Sequence, residues 1–154
     1  MMNDAFIASV ADAQARVGQT LGVSDWHRVE QAAVDAFGAV TGDEQWLHTD
    51  PEKAREGPFG ACIAHGLFTL GLAGGRFFHE TVRTTARMGV NYGCDRVRYP
   101  MPLRVGQRVR GRAELKSAEA LPDNGVQLRV VMTVDIEGEG KPACVAEFIV
   151  RYFF

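Results

Sequence analysis

The chain has 154 residues, of which 46% are hydrophobic and 23% are charged, and its net charge is −2. These values fit one globular domain over residues 1–154, and they argue against a nucleic-acid partner, which would require a basic tail or patch. Three widely separated cysteines favour reduced thiols in a cytoplasmic protein over a disulfide framework, and neither a signal-peptide pattern nor an apolar run of membrane-spanning length is present, so no membrane association is predicted.

The first part of the chain carries two helical patterns separated by a short strand. One helical stripe over residues 5–17 predicts a short amphipathic helix; its apolar members are Phe6, Val10, Ala13 and Val17. Two glycines mark the loop that follows, so residues 1–19 are predicted to be a helix and loop that precede the core. A strand is predicted over residues 26–29 and a second helix over residues 30–40.

A long irregular segment precedes the most apolar helix. Residues 42–63 hold too many Gly, Pro, Asp and Thr residues for one regular element, and a loop of this length in a compact domain is usually functional. Within it, Asp50 is suited to cap one helical turn that begins at Pro51. Residues 65–81 form the longest helical pattern, which is apolar nearly all round and therefore predicts a buried helix. Its three interior glycines would each cost about 1 kcal/mol relative to alanine, which predicts that a sheet packs closely against Gly71, Gly74 and Gly75.

From residue 88 onward the apolar pattern has a period of two, which is typical of strands. Strands are predicted over residues 91–99, 108–115, 126–136 and 143–153, and the Pro-Asp-Asn-Gly sequence at 122–125 predicts a tight turn. Alternation of polar and apolar residues with short connections favours an antiparallel sheet. A helical first half followed by a meander of long strands predicts an α+β fold.

A group of motifs lies in and around the long loop. They are Phe37-x3-Thr41-Gly42-Asp43-x4-His48-x5-Ala54, Pro58-Phe59-Gly60, Ile63-Ala64-His65-Gly66, Asn91-Tyr92-Gly93 and Val97-Arg98-Tyr99-Pro100. Together they resemble the signature of the MaoC-like, (R)-specific enoyl-CoA hydratases (hydratase 2 family), which have the hot-dog fold. The resemblance covers residues 20–153 and implies an antiparallel sheet wrapped around a long central helix.

The sequence departs from that family pattern in two places. Many members have Asn-Pro between the acid and the histidine, where this chain has Gln45-Trp46, a change that bears on the pocket wall and on substrate preference. Some members also place a serine in the central helix to support the aspartate. This chain has no serine there, and Thr69 is the residue that could take its place.

Hydration of a 2-enoyl thioester requires an activated water, a proton for Cα and stabilisation of charge on the thioester oxygen. A carboxylate and an imidazole facing one water can meet the first two needs, and the resemblance implies these roles for Asp43 and His48, with an (R)-3-hydroxyacyl product. It implies the third role for the backbone N–H of Gly66, because a helix N-terminus presents unpaired donors. The implied substrate is an acyl-CoA thioester, and no other cofactor is expected.

Substrate contacts are predicted for a wider set of residues, in the case of Asn91 only by analogy with the family: Gln45, Trp46, His65, Asn91 and Arg98. For His65 a structural hydrogen bond is favoured over a chemical role. One or two of the arginines near the strands are candidates for pairing with CoA phosphates, although a solvated sheet face explains most of them; these arginines are Arg96, Arg98, Arg104, Arg108, Arg110 and Arg112.

Several alternatives remain open at this point. A Cys-x2-His pair at Cys62 and His65 lies near His48, but it lacks a second ligand pair with zinc-type spacing, so no metal is expected. A hot-dog thioesterase, a dehydratase acting on acyl-carrier-protein substrates and a non-catalytic acyl-CoA-binding subunit compete with the hydratase. Hot-dog folds generally pair edge to edge, which predicts a homodimer.

Overall fold

An antiparallel sheet of six strands packs against one long helix in the computed structural model, which describes residues 6–154. The strands follow the order β1-β4-β5-β6-β3, with β2 also pairing with β4. They comprise β1 (Thr20–Val23), β2 (His27–Arg28), β3 (Met88–Arg98), β4 (Arg108–Leu121), β5 (Gly125–Ile136) and β6 (Cys144–Phe153). The α+β prediction is confirmed, and the four long strands lie where period-two alternation predicts them.

The inner face of the sheet is built by alternation along β5. Every second residue of that strand is buried, because successive strand side chains point to opposite faces; the fully buried ones are Val126, Leu128, Val130, Met132 and Val134. The predicted turn before β5 is confirmed. Asp123 and Asn124 have φ values of 59° and 55°, the left-handed pair that matches the twist of a hairpin.

The central helix, residues 66–81, consists of α5 (Gly66–Leu72), a π-helical turn (Ala73–Phe77) and α6 (Phe78–Thr81). Gly74 is required by close packing, since a Cβ there would lie 2.5 Å from the Phe148 ring. The same prediction is wrong for Gly71 and Gly75, where a Cβ would meet nothing within 4 Å. The helix is also not buried all round, because Leu67 is 63% exposed. One side of the helix therefore faces an open groove.

The N-terminal elements are shorter and more varied than the sequence predicts. The first helix, α1 (Val10–Ala15), covers only part of residues 5–17, and residue 5 lies outside the described residues. Ile7 instead forms a bridge with Thr84. The predicted loop after it contains β1, which pairs with β4; Gly22 permits this because a Cβ there would stand 2.7 Å from a main-chain oxygen of the central helix.

Three helices position the loop that carries the motifs. Helix α2 (Gln31–Thr41) confirms the second predicted helix. The single turn α4 (Pro51–Arg55) is also confirmed, with Asp50 as its N-cap accepting a hydrogen bond from the Lys53 N–H at 3.0 Å. Between them lies an additional turn, α3 (Trp46–Thr49), within the stretch predicted to be irregular.

Strand β3 forms one edge of the sheet and is exposed along most of its length. Met88, Val90 and Tyr92 are 49%, 44% and 59% exposed. The register with β6 slips twice, and at the second slip Arg96 has a φ of 53°. Among the described residues this edge has no partner strand, so its outer backbone groups are free to pair.

Buried ionisable groups are few and are accounted for by packing or pairing. Glu147 is held by Lys116 Nζ at 2.7 Å and Arg129 Nη1 at 3.0 Å, and these hydrogen bonds lower its pKa. All three cysteines are free thiols, and burial raises the pKa of Cys144 to about 11. Within residues 6–154, the helices fall short of the length and apolarity that a membrane crossing requires.

Candidate active site

Asp43 is placed by the end of α2. Gly42 ends that helix with a φ of 80° and donates its N–H to the Gly38 carbonyl at 2.8 Å, a left-handed helix end that favours glycine. Gly38 allows the chain after the helix to pass close by, because a Cβ there would lie 2.9 Å from the Asp43 carbonyl oxygen. After this helix end, the Asp43 side chain is 44% exposed.

His48 lies in α3 and is only 7% exposed. Its Nδ1 lies 2.6 Å from the Ile63 carbonyl oxygen. Because a carbonyl oxygen only accepts hydrogen bonds, Nδ1 must carry the proton. In the neutral ring, Nε2 therefore has the free lone pair. The main chain of the motif segment thus sets the tautomer of His48.

The two predicted catalytic side chains face each other. Asp43 Oδ2 and His48 Nε2 are 4.0 Å apart, which is too long for a direct hydrogen bond. One water about 2.8 Å from each atom would bridge this gap with ordinary geometry. The Asp-x4-His spacing therefore brings an acid and an imidazole together around the volume of one water molecule.

His65 contacts both Asp43 and His48. Its Nε2 donates to the Asp43 carbonyl oxygen at 2.8 Å, and its ring stacks on His48 with centroids 3.8 Å apart. It is 3% exposed, and Phe37 packs against it at 4.9 Å. These contacts are of the structural kind predicted for His65, and they constrain the main chain of Asp43 and the ring of His48.

Gly66 begins the central helix, so its N–H is a first-turn donor without a partner inside the helix. His65 precedes it as the N-cap and makes no side-chain capping bond. A Cβ at Gly66 would lie 2.8 Å from the Tyr99 ring, so the glycine is required by close contact with that ring. Thr69 does not support Asp43: its hydroxyl lies 3.4 Å from the His65 carbonyl oxygen.

Gln45 and Trp46 differ in what they contact. Gln45 Nε2 donates to Asp43 Oδ1 at 3.1 Å, and the other carboxylate oxygen of Asp43 faces His48. Trp46 is 37% exposed, and it packs on Gly57, where a Cβ would lie 3.0 Å from the indole. Trp46 therefore forms part of the wall of the motif segment.

Asn91 lies on β3, in a groove of about 520 Å³ between that strand and the central helix. The groove is open where the helix carries glycines and is lined by Leu67, Gly71, Gly75, Asn91 and Phe148. A separate cavity of about 330 Å³ lies at the other end of the central helix, away from the Asp–His pair. Arg98 ends β3 and is exposed, with its Nη1 2.7 Å from the Val97 carbonyl oxygen.

The clustering of Asp43, His48 and His65 also raises the question of a metal ion, because one ligand atom from each lies within 4.8 Å of the others. The donor set does not fit one. His65 Nε2 already donates to a carbonyl oxygen and His48 Nδ1 to another, and the two rings are stacked at 26°, so their lone pairs do not converge. His65 Nδ1 is buried without a hydrogen-bond partner among residues 6–154, but ring lone pairs lie in the ring plane and the two rings are stacked. The two imidazoles therefore do not point at one ion, and Asp43 with His48 Nε2 alone is too few ligands for a typical site.

Two site features are not evident from the sequence reading. Tyr99 belongs to the Val97-Arg98-Tyr99-Pro100 motif, but its contact with Gly66 depends on where β3 ends. Gly38 shows only as an interior helix glycine, and such a glycine can signal close approach of another backbone. The solvated-face explanation holds for three of the strand arginines, which pair with acids: Arg108 with Glu137 at 3.0 Å, Arg110 with Asp135 at 3.7 Å and Arg112 with Glu114 at 2.7 Å.

Comparison with known sequences gives a consistent result. The chain matches the family described as MaoC like domain over residues 12–136. It is 49% identical over 146 residues to the 3-hydroxyacyl-thioester dehydratase Z of Mycobacterium tuberculosis, covering 94% of this chain and 95% of that protein. It is 41% identical over 143 residues to the nodulation protein N of Rhizobium leguminosarum bv. viciae, covering 92% and 89%.

Solved structures give the same fold. The MaoC-like dehydratase from Rhodospirillum rubrum aligns with a TM-score of 0.73 at 25% identity, covering 89% of this chain and 92% of that one. The (R)-hydratase from A. caviae involved in PHA biosynthesis aligns with a TM-score of 0.71 at 24% identity, covering 87% and 94%. The hot-dog prediction is therefore confirmed.

Proposed function

The chain belongs to the MaoC-like domain family, and on that premise we propose that it is an (R)-specific enoyl-CoA hydratase, which adds water across the double bond of a trans-2-enoyl-CoA. A hydro-lyase activity follows from the family in general terms. The observation that carries the specific proposal is the Asp43–His48 pair, whose facing atoms are 4.0 Å apart. The product is (R)-3-hydroxyacyl-CoA.

The pair holds and activates the attacking water. His48 presents the lone pair of Nε2, because Nδ1 carries a proton and donates a hydrogen bond to the Ile63 carbonyl oxygen. Asp43 presents Oδ2. One of these groups removes a proton from the water as its oxygen bonds to C3, and the pair returns a proton to C2 on the same face. General acid–base catalysis of this kind contributes about 10²–10⁴-fold.

Charge that develops on the thioester oxygen is stabilised by the Gly66 N–H. A helix N-terminus offers this donor together with the positive end of the helix dipole. Loss of one such donor costs about 3–4 kcal/mol of transition-state stabilisation. The Tyr99 ring packs over Gly66, so the thioester approaches past this aromatic side chain.

The test is loss of the enoyl absorbance of crotonyl-CoA, with wild type beside Asp43→Asn and His48→Gln. We expect (R)-3-hydroxybutyryl-CoA, and a loss of about 10²-fold or more in kcat for each variant. Free thiol is measured in the same reaction. Release of thiol without hydration would make the protein a thioesterase, and retained activity in both variants would refute the assigned pair.

A second candidate is dehydration of 3-hydroxyacyl thioesters on a carrier protein. The relative from Mycobacterium tuberculosis is named a 3-hydroxyacyl-thioester dehydratase, and the reverse reaction uses the same groups. Crotonyl-CoA and a crotonyl carrier protein compared at equal concentration distinguish the two. A non-catalytic acyl-CoA-binding subunit would bind the thioester without turning it over.

The proposal includes a homodimer formed through the first half of the edge strand β3, which carries Met88, Val90 and Tyr92, as well as the cytoplasmic location expected from the unpaired cysteines. The exposed apolar residues of β3 and the open groove at Asn91 would be covered by a second copy, which would also shield the half-exposed Asp43. Val90→Lys should then give a monomer with reduced activity, measured by light scattering and by hydration rate. A wild type that is monomeric at assay concentration would refute this part.

A further inference from the structure

Most arginines of the sheet are neutralised by neighbouring acids. The β4 arginines pair with acidic residues on the same sheet face, and Arg129 on β5 lies 3.0 Å from both Asp95 and Glu147. Arg104 also lies 3.7 Å from Glu139. A guanidinium already paired with a carboxylate has little to gain from a second anion. These residues therefore do not form an anion site.

Arg96 and Arg98 differ from this set. Both are exposed, and neither has an acidic partner among residues 6–154. Arg98 donates to the carbonyl oxygen of its own neighbour, Val97, at 2.7 Å, and Arg96 has no polar partner within the described chain. Two guanidinium groups with unused donors thus lie two positions apart at the end of β3.

Strand β3 contains a β-bulge with a strained backbone at Arg96. The register pairs Asp95 with Glu147 and Arg98 with Val145, so β3 holds one residue more than β6 over this interval, which is a β-bulge. Arg96 has a φ of 53°, a left-handed backbone conformation that is unfavourable for residues other than glycine. Val97 nevertheless packs against the core. The bulge thus leaves both arginines exposed while the strand keeps its apolar contact.

The bulge is linked through the next residue, Tyr99, to the proposed thioester donor. Tyr99 follows Arg98 directly, and its ring packs on Gly66. Other cations of the described chain also lack a carboxylate partner, such as Arg55 at the end of α4 and Lys53, which lies 4.9 Å from the Trp46 ring, but neither adjoins a residue that packs on Gly66. Arg96 and Arg98 are therefore unpaired cations that precede the residue whose ring contacts the proposed thioester donor.

We propose that Arg96 and Arg98 bind the phosphate of the phosphopantetheine arm, the group that coenzyme A and acyl carrier proteins share. The proposal rests on the proposed function, since it assumes a thioester held at Gly66. Guanidinium groups recognise phosphate through charge-assisted, often bidentate hydrogen bonds. The strained bulge then has a role, which is to present two donors to one anion at the entrance of the site.

The experiment compares thioesters with and without phosphate. Crotonyl-CoA, crotonyl-4′-phosphopantetheine and crotonyl-pantetheine are hydrated by wild type, Arg96→Gly, Arg98→Gln and the control Arg108→Gln. The glycine variant removes the charge and relieves the left-handed strain, so its Tm should not fall. The control removes an equal charge from a residue paired with Glu137.

We expect the two bulge variants to raise KM for both phosphorylated substrates roughly tenfold, as for loss of a charged hydrogen bond, with kcat nearly unchanged. With crotonyl-pantetheine they should match wild type, and Arg108→Gln should match it throughout. An effect on crotonyl-CoA alone would place the arginines on the nucleotide phosphates and overturn the shared-arm assignment. Equal losses on all three substrates, or no loss on any, would also overturn it. A wild type that hydrates none of the thioesters would instead refute the proposed function.

Discussion

Replacement of Gly38 by alanine should separate catalytic geometry from stability. A Cβ at this position would lie 2.9 Å from the Asp43 carbonyl oxygen, whereas ordinary contacts begin at 3.4 Å, so the oxygen must retreat by about 0.5 Å. That oxygen accepts the hydrogen bond from His65. The displacement therefore moves the main chain of the proposed catalytic acid, not a distant surface.

The magnitude follows from two tolerances. Catalytic groups need to be held within about 0.5 Å, and a misplacement of about 1 Å can cost 10²-fold, so we expect roughly a tenfold fall in kcat for Gly38→Ala. The free energy of unfolding should change by less than about 1 kcal/mol, because alanine in a helix contributes about 0.5–1 kcal/mol over glycine and offsets the local strain.

The assay is kcat for crotonyl-CoA together with urea denaturation. Gly75→Ala is the matched helical control for the denaturation, since a Cβ there meets nothing within 4 Å, and it should gain stability. Undiminished kcat in Gly38→Ala would refute the reasoning that this contact holds Asp43 in place. A fall in kcat accompanied by several kcal/mol of lost stability would indicate a general packing defect instead.

Three further outcomes are expected. Gly74→Ala should lower the free energy of unfolding by about 1–3 kcal/mol, as overpacking does, because its Cβ would lie 2.5 Å from Phe148; urea denaturation measures this, and no loss would contradict the packing. Gln45→Ala should lower kcat roughly tenfold with little change in KM, since it frees the Asp43 carboxylate; a change in KM alone would make Gln45 a substrate contact. Hydrogen bonds from a lysine and an arginine lower the pKa of Glu147, so the stability that Glu147 contributes is present above the ordinary glutamate pKa and is lost as pH falls through the lowered value. Glu147→Gln should therefore reduce the loss of unfolding free energy in acid. An unchanged pH dependence of that free energy would count against this pairing.

The sequence predicts the sheet better than it predicts the site. Strand β5 is evident because its buried residues alternate from Val126 to Ile136, and the Asp–His spacing places the two side chains face to face. The sequence predicts a substrate contact for Gln45, and it does not reveal that the Gln45 amide also reaches Asp43. That contact depends on the rotamer and on the α3 turn, neither of which residue spacing specifies.

The central helix shows the limit of pattern reading. Its glycines look alike in sequence, yet Gly74 is pressed against Phe148 and Gly75 faces open space. Which side of a helix is buried follows from its rotation against the sheet, and an apolar run does not reveal that rotation. The β1 strand was missed for a related reason, since its pairing with β4 is long-range.

The π-helical turn at Ala73–Phe77 changes the direction in which side chains point at one end of the central helix relative to the other. A π turn holds one residue more than an α turn, and one residue in an α-helix corresponds to a rotation of about 100°. Leu67 near the start of the helix can therefore face the groove while Phe77, at the end of the π turn, packs on Gly111 of the sheet. Deletion of a single residue from this turn would swing one half by about a quarter of a revolution relative to the other, and would turn Leu67 towards a different wall with no change in its chemical nature.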